Sequence, residues 1–174
     1  SSAEMSLSIF FLGLGIGQLV MGPLIDKYGR KLPLIIGTLL FIITSIALIF
    51  VKDITIFNSL RFVQALGACS GMVISRAIVT DLYQGQQAAK NMTILVMLMT
   101  IGPIISPTLG SVFFEFFGWR SIFIVMVVIG IIALILSNFV IHETLALEKR
   151  TQKPFKEAYN NTLILLRQHN FLFP

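Results

Sequence analysis

Arg61 and Gln64 stand one helical turn apart inside the apolar run FNSLRFVQALGACSG. A cation near the centre of a membrane helix costs at least about 2.5–3.5 kcal/mol on insertion scales, so a guanidinium placed there points to a task. Two polar groups on one face suggest a watered interior. The alternative is that Arg61, about one turn from the end of its span, snorkels to the interface. Gln18 is another polar group at depth, in the run LGLGIGQLVMG. It either hydrogen-bonds across helices or lines a cavity. Arg76 lies near the opposite end of the Arg61 run, close in depth to Asp81, where an ion pair near the surface is expected.

Other chemistry is sparse. No acid falls near the middle of an apolar run: Glu4 and Glu115 lie at one set of ends, and Asp26 and Asp81 at the other. A carboxylate proton carrier would therefore lie outside this sequence. His142 closes the last run and His169 lies in the tail. No metal-ligand cluster, phosphate-binding glycine loop or nucleophile beside a base is present, so neither a cofactor nor a metal is expected. Cys69, the only cysteine, excludes an intrachain disulfide and reads as a small packing residue.

The elements that must position these residues follow from composition. Hydrophobic residues make up 56% of the 174 and charged residues 12%, with a mean hydropathy of +0.89. Soluble domains carry about 25% charged residues, so the expected fold class is an all-α integral membrane protein. The net charge of +5 does not mark a nucleic-acid binder, because the basic residues sit between apolar runs and form no soluble stripe. A spanning helix needs roughly 20 apolar residues. Five such spans are expected, at Met5–Ile25, Leu32–Val51, Asn58–Thr80, Met92–Phe117 and Arg120–Ile141. Strands are excluded, since nothing alternates with period two and an open sheet edge cannot live in lipid.

Charge orients the spans. Lys27, Arg30 and Lys31 follow the first, Lys90 the third, and Lys149, Arg150, Lys153 and Lys156 the fifth; Lys52 and Arg120 lie on the opposite side. The positive-inside rule then places the Asp26–Lys31 turn in the cytoplasm, residue 1 outside and residue 174 inside. Beyond the spans, Phe155, Tyr159, Leu163 and Leu166 recur at helical spacing after Pro154. That pattern predicts a short amphipathic helix at the inner membrane surface, the alternative being a linker without fixed structure.

Small residues mark three helix faces by a spacing of four: Gly13 and Gly17; Gly67, Gly71 and Ser75; Gly102, Ser106 and Gly110. Such faces let backbones approach closely. Pro103 and Pro107 on the last of them predict a bend, which is either a static kink or a hinge or seal against a neighbour.

The dense charge in GPLIDKYGRKLPL resembles the loop between helices 2 and 3 of the major facilitator superfamily, G-x-L-x-D-x-x-G-R-[KR]-x-x-[LI]. Gly22, Leu24, Asp26, Gly29, Arg30, Lys31 and Leu34 fill every pattern position. RFVQALGACSG resembles the family's helix 4 motif through Arg61, Gln64, Gly67 and Ala68, with Ala65 in place of a glycine. GPIISPTLGS resembles the helix 5 motif of antiporters through Gly102, Pro107 and Gly110, with Ser106 and Ser111 replacing two glycines. SRAIVTDLY, GWRSIF and HETLALEKR resemble the bicyclomycin-resistance (Bcr/CflA) branch of drug:proton antiporters.

The resemblance implies that residues 1–141 are helices 2 to 6 of a twelve-helix transporter and 142–174 its central cytoplasmic loop. It implies a transporter and not an enzyme, exporting small amphipathic compounds against protons across the bacterial inner membrane. The implied partners are substrate, protons, the bilayer, helix 1 and the second half of the same transporter, with a monomer when complete. Asp26, Arg30 and Asp81 would form a charge cluster that controls conformation. Arg61 would support proton coupling by shifting the pKa of an acid elsewhere, Gln64 and Gln18 would line the cavity, and the Gly102–Gly110 helix would seal the interface between halves. Other cargoes on the same fold, or a membrane sensor that moves nothing, remain as alternatives.

Overall fold

The computed structural model describes residues 2–145, with side chains from residue 4 onward. These residues form five helices: α1 (Ser2–Tyr28), α2 (Lys31–Phe50), α3 (Ile54–Leu82), α4 (Gly85–Phe117) and α5 (Arg120–Phe139). All five are long and apolar enough to cross a membrane. The amphipathic helix expected after Pro154 lies outside the described residues, as does most of the expected central loop.

The helices match the expected spans in number and order but run past several of their ends. α3 begins at Ile54, four residues before the expected Asn58, and α4 begins at Gly85, seven before Met92. Hydropathy marks where lipid stops, not where backbone hydrogen bonding stops. At 1.5 Å per residue the 33 residues of α4 extend about 50 Å, well beyond a hydrocarbon layer of about 30 Å. α4 also continues through Pro103 and Pro107 as one helix.

α3 is the centre of the packing. α1 and α2 lie along it, α5 lies along α2, and α4 touches α3 and α5 more lightly. The closest approaches are made where side chains vanish. A β-carbon added at Gly17 would stand 2.5 Å from Cys69 Sγ, and one at Gly67 would stand 2.7 Å from the Gly37 carbonyl oxygen. Gly130 of α5 similarly makes room for Ile42 of α2. Of the three small-residue faces, the first is used through both Gly13 and Gly17, and the second through Gly67. Gly71, Gly102 and Gly110 face open space, and no residue of α4 is buried.

The two ends of the bundle are finished differently. At one end Phe57, Trp119 and Phe123 pack edge to face, with centroids 5.8–6.5 Å apart, and Arg120 lies over Trp119. Such rings suit a membrane–water interface. At the other end Ile25, Leu34 and Ile74 form a buried cluster with Met21, Val73, Ala77, Ile78 and Ile141 around it. That apolar floor carries the charged residues described next.

Candidate functional site

The turn between α1 and α2 is built by Gly29. Its φ of 91° is open to glycine at little cost, and its N–H donates to the Ile25 carbonyl at 3.1 Å, which closes α1 with a left-handed cap. The chain reverses there, and the next residue, Arg30, folds back over the helix end.

Arg30 is 6% exposed and its guanidinium is almost fully engaged. Nε donates to Asp81 Oδ2 at 2.9 Å, and Nη2 reaches Asp81 Oδ1 at 3.4 Å. Nη1 donates to Asp26 Oδ1 and to the Ile25 carbonyl, each at 2.9 Å. One side chain thus ties the end of α1 to the end of α3. Burial alone would pull the Arg30 pKa down. The bonds to Asp81 and Asp26 outweigh it, and the pKa lies above the ordinary guanidinium value. Arg76, by contrast, is exposed, and the Arg76–Asp81 ion pair expected from sequence does not form: Arg30 holds Asp81 instead.

The cluster has two members that sequence reasoning missed. Glu143, just beyond α5, accepts from the backbone N–H of Arg30 at 2.8 Å and of Lys31 at 3.3 Å. Arg30 is the N-cap residue of α2 and has no capping side chain of its own. Glu143 therefore caps α2 from 113 residues away, where a carboxylate also suits the positive end of the helix. Thr144 donates to Asp81 Oδ2 at 2.9 Å, and Lys31 Nζ donates to the Asn138 carbonyl at 3.0 Å. The exit of α5 is thereby bound to the same knot. A signal was available: α2 starts in GRKLPL, with no Ser, Thr, Asp or Asn to cap it, so its donors had to be met from elsewhere.

The second polar centre lies about 10 Å along α3 from Ile54. Arg61 is half-buried, its guanidinium 4.5 Å from the Phe10 ring of α1. Its Nη1 donates to Gln64 Oε1 at 2.8 Å. Gln64 is 0% exposed and donates in turn to Ser45 Oγ of α2 at 2.7 Å. Arg61 and Gln64 are thus brought together, with Gln64 held between helices and not on an open wall. Gln18 is exposed on α1 and stays apart from this chain. Among the described residues no group of three metal-ligating side chains stands together.

The α4 residues complete the inventory. Gly102, Pro103, Ser106 and Pro107 are exposed and Gly110 is half-buried. They form a stripe of small residues and prolines that no described residue covers closely. Gly22 likewise faces open space, at the last turns of α1.

This arrangement of a charge-tied turn, a cation deep in α3 and a small-residue helix coincides with a match to the Major Facilitator Superfamily over residues 1–173. The chain belongs to the major facilitator superfamily. It is 33% identical over 174 residues to the MFS-type transporter YdgK of Bacillus subtilis, covering 99% of this chain and 43% of that protein. It is 31% identical over 167 residues to a bicyclomycin resistance protein homolog of Haemophilus influenzae, covering 96% of this chain and 42% of the relative. With the multidrug resistance protein MdtL of Escherichia coli O157:H7 it shares 35% identity over 141 residues, 81% of this chain and 36% of MdtL. The chain therefore spans less than half the length of these relatives. As a superfamily member with five membrane-length helices, it is a multi-pass membrane protein.

Proposed function

We propose that this chain supplies α1–α5 as helices 2 to 6 of a bacterial inner-membrane exporter that drives small amphipathic compounds, drugs included, outward in exchange for protons. The observation that carries this reading is the family match over residues 1–173 together with relatives named for bicyclomycin and multidrug resistance. In such transporters two halves rock about a site near the membrane midplane. The Arg30 end is cytoplasmic in this reading, as the excess of Lys and Arg there argues. Helix 1 and the second half complete the pathway.

Each polar centre then has a role. The Asp26–Arg30–Asp81 cluster holds the cytoplasmic ends of α1 and α3 together and so favours the outward-open state. Arg61 stands in for a fixed positive charge that lowers the pKa of a proton-carrying acid in the rest of the transporter. The exposed stripe of α4 seals against the second half.

The test uses the full-length transporter in inverted membrane vesicles with an imposed proton gradient and a fluorescent cationic dye. Wild type should accumulate dye only under the gradient, and Asp26→Asn and Arg61→Ala should each lose most of that accumulation. Retained proton-dependent uptake in Arg61→Ala would remove its coupling role. An unchanged balance of inward and outward states in Asp26→Asn would remove the cluster's role. No dye movement in wild type would reduce the claim to a narrow metabolite exporter or a non-transporting relative.

A further inference from the structure

The polarity of the hydrogen-bond chain behind Arg61 is set by the donor-only guanidinium at one end and a buried hydroxyl at the other. Ser45 Oγ donates to the Phe41 carbonyl at 2.6 Å, within its own helix. A serine has one O–H to give, so toward Gln64 its oxygen offers only lone pairs. The end of the Gln64 amide that faces Ser45 is then the NH2, which the donor-only Arg61 at the opposite end also requires. Met126 Sδ of α5, 3.6 Å from the same nitrogen, is a weak acceptor and agrees. The other end of the amide is then the carbonyl oxygen, and it faces Arg61, a group with donors only. The two ends of an amide have nearly the same shape, so only neighbours decide which way it points. Here the order runs from Arg61 to Gln64 to Ser45 to Phe41 without a conflict.

We propose that Ser45, acting through Gln64, is the positioning residue that sets where the Arg61 cation stands, with the Phe10 ring of α1 closing the other side. The role rests on the reading of Arg61 as a coupling centre. The physical need is clear from the surroundings. Ser45 and Gln64 are both 0% exposed, and among the described residues no carboxylate pairs with Arg61. A neutral amide oxygen and a ring face hold it instead. Without the Ser45 acceptor the buried NH2 has lost its main partner, which is costly in a dry site. The amide is then no longer anchored to α2, its oxygen drifts from the place where it accepts from Arg61, and the cation shifts with it.

The experiment compares wild type, Ser45→Ala, Gln64→Met and Ser70→Ala in the full-length transporter in membrane vesicles. Ser70 is the control: it is a buried α3 serine whose hydroxyl donates to the Gly67 carbonyl at 2.7 Å. The first readout is the rate at which phenylglyoxal modifies Arg61, located by peptide mass. The second is gradient-driven dye efflux, resolved into KM and maximal rate. The loss of one net hydrogen bond should speed Arg61 modification about fivefold in Ser45→Ala. Gln64→Met, which keeps the length of the side chain without an acceptor oxygen, should do the same. Both should cut the maximal rate with little change in KM, and Ser70→Ala should change neither readout. Unchanged Arg61 modification in Ser45→Ala, or equal acceleration in Ser70→Ala, would overturn the assignment. A wild type that moves no dye would defeat the exporter reading, while the modification rates would still decide the positioning of Arg61.

Discussion

Arg30 and Arg61 are both withdrawn from water, yet the chain holds them by opposite means. Arg30 meets two carboxylates and a backbone carbonyl. Arg61 meets an amide oxygen and an aromatic face. A cation compensated on the spot acts as a fastener, since separating it from its partners leaves uncompensated charge. A cation held only by dipoles and a π face keeps its field for something else. Position follows the same logic. Arg30 joins the ends of helices, where a tie alters how they move as a group. Arg61 sits inside α3, where a tie would alter little but a charge is felt widely.

The sharpest way to break this contrast is to remove each guanidinium in the full-length transporter. Arg61→Ala is expected to abolish gradient-driven efflux, the largest functional loss, while moving the unfolding midpoint in detergent only slightly. Arg30→Ala takes from Asp81, whose side chain is 19% exposed, the guanidinium that ties it to Asp26 and the Ile25 carbonyl. Breaking a buried pair in this way should cost about 3 kcal/mol of stability, read as a clear fall in the same midpoint. Arg30→Lys should recover only part of it, because an ammonium cannot form a fork to two carboxylates at once. Equal losses of stability in the two alanine variants would show that the distinction between fastener and free charge is mistaken. The arginine side of the clasp should not titrate in ordinary buffers. Its pKa is raised, so while its carboxylate partners are ionised its contribution is complete below the ordinary guanidinium value and is lost only as pH rises through the raised one.

Glu143 refines the picture at the Arg30 end. Its carboxylate meets two backbone donors at the start of α2, a contact of the helix-capping kind worth about 1 kcal/mol. Glu143→Ala should therefore cost less than Arg30→Ala, and should speed amide exchange at Arg30 and Lys31 in particular. Glu143→Gln keeps an acceptor without the charge and should fall between wild type and alanine. Exchange at those amides that matches wild type in Glu143→Ala would separate Glu143 from the clasp.

Much of the fold was legible because lipid imposes a coarse rule. Long apolar runs must be helices, and five of them appear in order. The helix ends were less legible. Asp53 in KDITIF lets α3 begin before the apolar run that defines its span, and capping overrode hydropathy. Asp26, Arg30 and Asp81 could be grouped through the family pattern, and the structure brings them within bonding distance. Glu143 could not be grouped in that way, because its bonds go to backbone N–H groups that carry no residue signature. Arg76 misled for a related reason. Depth along α3 put it near Asp81, but azimuth around the helix leaves it exposed, and spacing five residues apart does not share a face. Gln64 was visible as polar at depth. Its partner Ser45, on another helix, is one of many serines in apolar surroundings, and nothing local distinguished it.

The smallest expected effect lies at the opposite end and concerns how helices start. α2 is capped from a distant segment, while α3 is capped by its neighbour. Asp53 Oδ1 accepts from Thr55 N–H at 2.7 Å and from Ile56 N–H at 3.2 Å. Those bonds to Ile56 and Thr55 hold the exposed Asp53 carboxyl below its ordinary value of 3.8. A lowered pKa means that the cap contributes above the ordinary value and is lost as pH falls through the lowered one. Protection of the Thr55 and Ile56 amides, corrected for intrinsic exchange, should therefore hold at neutral pH and fade only in strong acid. Asp53→Ala should lose that protection at every pH, and Asp53→Asn should keep most of it without the acid transition. Because this cap is local, none of these changes should reach the amides of Arg30 and Lys31. Coupled loss at both ends would mean that α3 transmits its start to the clasp, and that the two ends are one cooperative unit.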